Sequence, residues 1–521
     1  MIRSFLTVSA GTLGSRLLGF ARDAMVAALL GAGPVADAFL LAFQLVNVAR
    51  RLLSEGALNA ALIPAWLRVR DTEGAVAAAA FAGRVLGTTS AVLVAAGGLI
   101  GLSMPLVVVA LAPGFAGTET LDFAVLDSRL MLPYLAFAGP ATVIMALLNA
   151  RGRLVLTAFS PLLFNVALIL VMIVLALRHE VAARSAVVVA ATVGIAGLVQ
   201  LLILVSRPGG NTMAAPLRVA FDRQMRGFFA KAIPGMVAGA GPQLFIVGGA
   251  IIASAAPSAV SRLYFANRLI ELPLGLVGVA MGAVLIPELT RSLRDGDRKR
   301  LAHAQSRCLE LAVGLALPAM LGLIVLGEQV VRMLFEHGAF GAADTAGTTR
   351  ALFWLALGLP AHVLVKALSP AFFAREDTAT PLTAMLKALA ITIALAIVLG
   401  RMFGPGGVAA SIAVGAWNNA LALIRRGSET FGFSIDATAR SRLPRIAASA
   451  AAMGGLLYLA APLAAASGGG AHGGLAQAIA VLLLIAGATV LYGLLLLLFG
   501  VFGWAEAVGA LRQTPQGGLR D

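Results

Sequence analysis

Charged side chains are scarce in this sequence, since they make up only 12% of its 521 residues. A soluble globular protein carries about 25% charged residues, and a soluble chain of this length normally divides into several domains joined by polar linkers. No such linker is present, and 60% of the residues are hydrophobic. Repeated apolar stretches of about 20 residues need a lipid bilayer around them. The sequence therefore predicts an all-α polytopic membrane protein.

The sequence also lacks the residues on which several functional classes depend. Its single cysteine, Cys308, excludes an intramolecular disulfide. The five histidines are scattered without metal-ligand spacing, and there is no phosphate-binding loop, Ser-His-Asp arrangement or ATP-binding domain. We therefore expect no enzyme activity, no cofactor and no metal site. The net charge of +15 comes without a nucleic-acid-binding motif, so no nucleic-acid partner is expected.

Fourteen hydrophobic segments are long enough to be transmembrane helices. They lie near residues 2–30, 34–65, 77–112, 123–150, 154–178, 181–206, 227–255, 258–290, 305–335, 346–373, 380–402, 405–426, 443–466 and 475–502. The loops after even-numbered segments carry clusters of arginine and lysine, whereas the loops after odd-numbered segments are nearly bare. The positive-inside rule then places the even loops, and both termini, in the cytoplasm of a bacterium. The predicted location is the inner membrane.

A weak internal repeat divides the first twelve segments into two halves. Pro34 and Pro64 are 30 residues apart, and Pro257 and Pro287 repeat that spacing 223 positions later. Because each half holds an even number of helices, the sequence predicts two six-helix lobes in a parallel repeat about a pseudo-two-fold axis along the membrane normal, plus two C-terminal helices. The predicted domains are 1–206 (N-lobe), 207–226 (cytoplasmic linker), 227–427 (C-lobe) and 428–521 (helices thirteen and fourteen with the tail).

Several charged residues fall inside the predicted spans. A charge at membrane depth costs at least about 2.5 kcal/mol, so it usually faces a cavity or a partner. Arg22, Arg50 and Arg268 lie on three helices, and we expect their planar guanidinium groups to converge on one cavity that suits phosphate oxygens. Adjacent residues point apart on a helix, so Asp23 is not expected to pair with Arg22. This pattern predicts a phosphate or pyrophosphate head group as the substrate.

Acidic neighbours leave open a structural role for some of these arginines. Arg51 and Glu55 are four residues apart, and Arg268 and Glu271 are three apart. Each pair can form an ion pair along one face of a helix, because residues three or four apart are neighbours there. The same positions are therefore candidates for locking one conformation as well as for binding substrate.

A family resemblance is carried by several short stretches. They are GFARDA at residues 19–24, ADAF at 36–39, RRLLSEGA at 50–57, APGF at 112–115, RLIELP at 268–273 and the stretch from 278 to 287. The chain resembles the MurJ/MviN lipid II flippases of the multidrug/oligosaccharidyl-lipid/polysaccharide exporter superfamily. The resemblance spans essentially the whole chain, and the first 65 residues are its most specific part.

The resemblance implies a flippase that moves lipid II, the undecaprenyl-pyrophosphate-linked peptidoglycan precursor, from the cytoplasmic to the periplasmic leaflet by alternating access. It carries the substrate-binding role over to Arg16, Arg22, Arg50 and Arg268. The residues expected to gate the cavity or to form ion pairs are Asp23, Asp37, Arg51, Glu55 and Glu271. Helices thirteen and fourteen are expected to form a groove for the polyprenyl tail, and cell-wall synthesis or division proteins are further expected partners.

Two other functions remain open at this point. A multidrug or cation antiporter of the same superfamily needs acidic residues in a lobe cavity, whereas the deep charges singled out here are mostly arginine. A membrane scaffold for cell-wall enzymes needs no transport at all. The chain also departs from the family at Asn267, where many members have Asp, and its seventh and eleventh segments lack the Asp and Asn with which some members bind sodium. The coupling ion, the resting conformation and the oligomeric state are left open.

Overall fold

The computed structural model describes residues 2–54, 57–206, 214–239, 241–280, 298–373, 375, 377, 379–431, 435–466 and 473–501. Within these residues the secondary structure is helical and contains no strand, which confirms the all-α class. In chain order the helices are α1 (Ile2–Leu30), α2 (Pro34–Ser54), α3 (Ala57–Leu102), α4 (Met104–Leu111), α5 (Glu119–Met131), α6 (Pro133–Ala150), α7 (Leu154–Leu177), α8 (Ala182–Val205), α9 (Arg223–Gly239), α10 (Gly241–Ala253), α11 (Ala259–Ala280), α12 (Arg298–Val325), α13 (Gly327–Phe335), α14 (Ala342–Phe373), α15 (Ala379–Phe431), α16 (Ala437–Ala466) and α17 (Gly473–Leu498), with a 3₁₀ turn at Pro113–Phe115.

Nine helices in the described part of the chain are long and apolar enough to cross a bilayer. This number confirms a multi-pass membrane protein, whereas the count of fourteen stays a prediction. Helix α2 (Pro34–Ser54) covers the first 21 residues of the predicted second segment, 34–65, and residues 55 and 56 of that segment lie outside the described residues.

The longest helix, α15, is broken by a glycine. It has 53 residues, which would span about 80 Å if straight. Gly404 interrupts it with φ 59° and ψ −140°, a conformation that glycine adopts without the steric cost other residues meet. The break falls between the predicted segments 380–402 and 405–426. Gly74 interrupts α3 in the same way, with φ 90° and ψ 175°.

The helices gather into two compact units. Unit 1 comprises Met1–Phe265, Phe335–Gly347 and Thr392–Val408, and unit 2 comprises Ala266–Leu334, Thr348–Ile391 and Ala409–Asp521. In unit 1, α1 packs against α7, α2 against α5, α3 against α6, and α8 against α5, α6 and α7. In unit 2, α16 packs against both α12 and α17. The predicted domain limits at 206, 226 and 427 stay predictions.

The segment before α9 is tied to α3 within unit 1. The Thr88 hydroxyl accepts a hydrogen bond from the Ala220 N–H at 3.0 Å and donates one to the Ala220 carbonyl at 3.1 Å. Arg84 Nη1 lies 2.8 Å from Asp222 Oδ2. The Met225 N–H, which bonds Asp222, and the nearby Arg84 charge hold the pKa of the Asp222 carboxyl below its ordinary value. Asp222 thereby caps the start of α9.

Candidate functional site

Arg22 lies on α1 with its guanidinium group buried and fully engaged. The residue is only 7% exposed. Its Nε and Nη2 donate to Asp23 Oδ1 at 2.9 and 2.6 Å, and its Nη1 donates to Asn165 Oδ1 on α7 at 3.0 Å. The Phe43 ring of α2 covers the guanidinium carbon at 4.6 Å from the ring centroid. Within unit 1 the positive charge is thus compensated by an anion, an amide and an aromatic face.

The expectation that Arg22 and Asp23 do not pair was wrong. Neighbouring positions do diverge on a helix, as that expectation assumed. The arginine side chain is long enough to bend back around the helix, however, and a buried guanidinium without an anion is very costly. Asp23, which is 1% exposed, supplies the anion.

Two members of this network were not singled out from the sequence. Asn165 Nδ2 donates to the Ser15 carbonyl at 3.2 Å, so this amide bridges α1 and α7. The Tyr264 hydroxyl of α11 donates to Asp23 Oδ1 at 3.2 Å. The available signal for Asn165 was its position as an isolated amide in an apolar helix, since polar groups at membrane depth usually have a partner. No comparable signal marked Tyr264.

The remaining predicted arginines are placed differently. Arg16 is exposed on α1 and takes no part in the Arg22 network. Arg50 is half-buried on α2, and its Nη2 donates to Asn47 Oδ1 at 3.3 Å. Arg268 is half-buried in unit 2, where its Nη1 lies 2.8 Å from Glu271 Oε2. The convergence of Arg22, Arg50 and Arg268 on one cavity stays a prediction, and so do the substrate-binding roles.

The predicted Arg51–Glu55 pair lies outside the described residues, because Glu55 and the Arg51 side chain are not among them. Asp37, by contrast, is clearly placed in the first turn of α2 and is 2% exposed. Its Oδ1 accepts the backbone N–H of Ser261 at 2.7 Å, in the first turn of α11. A carboxylate is well suited to this position, because the N–H groups at a helix start lack partners and carry partial positive charge. Asp37 therefore caps the start of another helix, and its predicted role in gating or ion pairing stays a prediction.

A second ion pair lies beside this contact in unit 1. Arg262 Nη2 is 3.1 Å from Asp344 Oδ1. The segment carrying Asp344 is held further by the Thr345 hydroxyl, which donates to Glu336 Oε2 at 2.6 Å. Gly347 lies so close to Arg262 that a Cβ there would be 2.6 Å from Arg262 Cδ.

Backbone contacts join the same region of unit 1. The Ala339 N–H, in the segment 335–347, donates to the Ala28 carbonyl at 2.8 Å. The Gly114 N–H donates to Ser254 Oγ at 3.1 Å. The four segments 28–37, 113–115, 254–262 and 335–347 thus meet at one end of unit 1, and we call them the docked end. Three buried rings lie among them, since Phe265 contacts Phe335 and Phe340 with ring centroids 5.1 and 5.5 Å apart.

The other end of unit 1 is basic. Arg151 follows the last residue of α6, and its guanidinium lies 5.8 Å from the Trp66 ring centroid, with Arg70 at 5.1 Å from the same ring. Burial, together with the positive charges of Arg153 and Arg70, lowers the pKa of Arg151 from its ordinary value. The two ends are separated by the 32 residues from Glu119 to Ala150, which include α5 and α6 and would span about 48 Å as one helix. In the described residues no group of three or more His, Cys, Asp or Glu side chains is placed to hold a metal ion.

Long apolar helices, an arginine compensated inside one of them and a closed end built from four segments define a multi-pass membrane protein with the architecture of a transporter. The family model of the lipid II flippase MurJ matches residues 26–470. The chain belongs to this family, as the sequence resemblance predicted.

Individual relatives support the same assignment. A probable lipid II flippase MurJ of Rhizobium meliloti is 38% identical over 464 residues, covering 87% of this chain and 85% of the relative. One from Rhizobium tropici is 36% identical over 463 residues, covering 88% and 86%. The lipid II flippase MurJ of Burkholderia cenocepacia is 33% identical over 435 residues, covering 81% and 83%.

Solved structures agree on the fold. A lipid II flippase MurJ in an inward closed conformation matches with a TM-score of 0.78 at 21% identity, covering 95% of this chain and 98% of that structure. An inward-facing multidrug resistance MATE transporter of the MOP superfamily matches with a TM-score of 0.66 at 16% identity, covering 83% and 95%. At these identities the likeness concerns the fold alone.

Proposed function

We propose that the chain moves lipid II from the cytoplasmic to the periplasmic leaflet of a bacterial inner membrane. The observation that carries this proposal is the buried, ion-paired guanidinium of Arg22 in a chain of the lipid II flippase MurJ family. Arginine stays ionised under all physiological conditions, and its planar fork matches phosphate oxygens. A permanent positive group held inside a membrane helix therefore suits the pyrophosphate of a lipid-linked precursor better than a cation.

The proposed architecture has fourteen transmembrane helices in two six-helix lobes and two C-terminal helices. Helix bounds support the parallel repeat. The pair α5–α6 runs from Glu119 to Ala150, and α14 runs from Ala342 to Phe373, so both bounds recur after 223 residues. This is the offset that the proline spacing gave. On this reading, the docked end includes segments from both halves of the repeat.

The proposed orientation places the docked end in the periplasm and the basic end in the cytoplasm. Support comes from the positive-inside rule, because Arg70, Arg151 and Arg153 all lie at the basic end. A docked end that is closed towards the periplasm belongs to the stage of alternating access at which substrate enters from the cytoplasm. Both chain termini are then cytoplasmic.

The proposed transport step begins when the pyrophosphate replaces Asp23 as the anion bound to Arg22. Such an exchange keeps the arginine compensated, so it avoids the cost of a buried unpaired charge. Arg16, Arg50 and Arg268 would add positive charge along the path of the head group. The membrane potential contributes about 2.3 kcal/mol per charge for each 100 mV crossed, and it draws a net-positive empty site back towards the cytoplasm.

The polyprenyl tail is proposed to remain in lipid beside α16 and α17. These helices expose large apolar side chains, including Leu456, Leu459, Leu482, Leu483 and Leu494. Such a surface is compatible with acyl and prenyl chains. Contacts with cell-wall synthesis or division proteins stay a prediction.

The test is translocation of fluorescent lipid II in vesicles that contain the purified full chain. Arg22→Gln and Arg268→Gln are expected to lower the rate at least about tenfold, since each removes charge-assisted hydrogen bonds of about 1.5–3 kcal/mol. Arg184→Gln is the matched control, because this arginine is exposed and pairs with Glu180 near the protein surface. The proposal fails if wild-type protein moves no lipid II, or if both arginine variants match the control. Uptake of a cationic dye in the same vesicles tests the antiporter alternative.

A further inference from the structure

Asp127 is a buried carboxyl group to which the transport scheme above gives no role. It lies on α5 and is 1% exposed. Neither of its carboxyl oxygens has a hydrogen-bond partner among the described residues. A buried acidic residue in a membrane helix usually marks a functional position.

Helix α5 packs against both α2 and α8. Near its end the approach to α8 is very close, since a Cβ on Gly194 would lie 2.5 Å from the Leu130 carbonyl oxygen. A Cβ on Gly197 would lie 2.8 Å from the ring of Tyr134, at the start of α6. Tight packing of this kind leaves little room for water around the buried carboxyl group of Asp127.

Among the described residues, no charged side chain forms a hydrogen bond or ion pair with Asp127. The titratable or charged groups on the elements packed against α5, and on α5 itself, are Asp37, Arg50 and Arg51 on α2, Arg184 on α8, Tyr134 on α6, and Glu119, Asp122 and Arg129 on α5; α4 and the 3₁₀ turn contribute none. Asp37 binds the Ser261 N–H, and Arg184 binds Glu180 at the surface. Arg129 is exposed and donates to the Gly101 carbonyl. The Arg51 side chain lies outside the described part.

An ionised carboxylate without a partner is strongly disfavoured in such a place, whereas the neutral acid is tolerated. In the conformation with a closed docked end, the carboxyl group therefore carries its proton. Two of the elements packed against α5 take part in the docked end. The 3₁₀ turn just before α5 holds Ser254 through Gly114, and α2 holds Ser261 through Asp37. Separation of these contacts would therefore loosen the packing of the 3₁₀ turn and of α2 against α5, the helix that carries Asp127.

We propose that Asp127 is a proton-binding site linked to the docked end, protonated while that end is closed and deprotonated when it opens. On opening, the carboxyl O–H bond breaks heterolytically, the proton passes to water on that side, and the carboxylate remains hydrated. On closing, the carboxylate takes up a proton from water before it is buried again. If the chain transports lipid II as proposed, this site makes the proton a coupling ion of the transport cycle. That part of the proposal rests on the proposed function.

The test is infrared difference spectroscopy of the full chain in lipid vesicles, read at the C=O stretch of a protonated carboxylic acid. The difference between wild type and Asp127→Asn isolates this group, and Asp122→Asn, an exposed carboxylate on the same helix, is the matched control. The docked end is locked with Ala28→Cys and Ala339→Cys in a Cys308→Ser background, since Ala28 and Ala339 already share a backbone hydrogen bond.

We expect the Asp127 band to be present at neutral pH. As the pH is raised, the oxidised, crosslinked protein should lose the band only at a proton concentration at least about tenfold lower than the concentration at which the reduced protein loses it. Absence of the band at neutral pH, its persistence in Asp127→Asn, or equal titration of the crosslinked and reduced forms would overturn the proposal. The measurement needs no lipid II. If the band behaves as expected while wild type moves no lipid II, the proposed function fails and the proton site stands.

Discussion

Asp37 offers a sharp test of the docked end, because its carboxylate joins α2 to the start of α11. Its Oδ1 accepts the Ser261 N–H at 2.7 Å, and Ser261 is fully buried. Asp37→Ala leaves that N–H without an acceptor in the closed form only. A hydrogen bond to a charged group contributes about 1.5–3 kcal/mol, so the balance between closed and open forms should shift by about 10- to 150-fold towards open. Asp37→Asn should shift it less, since the amide oxygen still accepts.

The assay is the labelling rate of a buried reporter at the same end. Ala259 is fully buried beside Ser261, and Ala259→Cys in a Cys308→Ser background gives a single reactive thiol. When opening and closing are fast, the rate of reaction with a membrane-impermeant maleimide is proportional to the open population. Asp37→Ala should therefore raise the rate about tenfold or more.

The control is Asp71→Ala, which removes an exposed carboxylate near the basic end and should leave the labelling rate unchanged. If Asp37→Ala changes the rate by less than about twofold, equivalent to about 0.4 kcal/mol, the hydrogen bond does not hold the docked end closed. An equal effect of Asp37→Ala and Asp71→Ala would point to a general loss of stability instead.

Three further substitutions test contacts within unit 1. Asn165→Leu should lower the free energy of unfolding of the purified protein by about 1.5–3 kcal/mol, because the Arg22 Nη1–H loses its acceptor in a buried site. Denaturation in detergent measures this loss of stability, and an unchanged midpoint would contradict the prediction. Thr88→Val should cost about 1–2 kcal/mol by removing both hydrogen bonds to Ala220, and protease cleavage of the 214–222 segment should accelerate. Gly114→Val should open the docked end, since the new Cβ would overlap the Ser254 carbonyl. The rate of maleimide labelling at Ala259→Cys measures this opening, and a rate equal to that of the protein with Gly114 would reject the prediction.

Much of the fold was accessible from the sequence, because membrane helices are long and apolar. The predicted segment 2–30 matches α1 within a residue, and 346–373 ends where α14 ends. The break in α15 was also foreseeable, since no single helix of that length fits a bilayer.

The candidate site was less predictable, for a physical reason. Periodicity along a helix tells which residues share a face, but it does not tell how far a long side chain can bend. The pairing of Arg22 with Asp23 was missed for that reason. Asp344 and Tyr264 were missed because their partners are distant in sequence, at Arg262 and Asp23. Charged residues in apolar segments indicated where a partner was needed. The partner residues themselves could be identified only in the folded chain.

The ion pair at Arg22 makes a final prediction, because Asp23 and a pyrophosphate need the same N–H groups. Asp23→Ala removes the competing anion and with it two charge-assisted hydrogen bonds, each of about 1.5–3 kcal/mol. We expect Asp23→Ala to bind lipid II at least about tenfold more tightly, since even the lower figure corresponds to that factor. The empty protein should become less stable at the same time, because Arg22 is then buried without an anion. Binding and thermal denaturation of the same preparation measure both effects. Weaker binding together with lower stability would mean that Asp23 orients Arg22 for the substrate and does not compete with it.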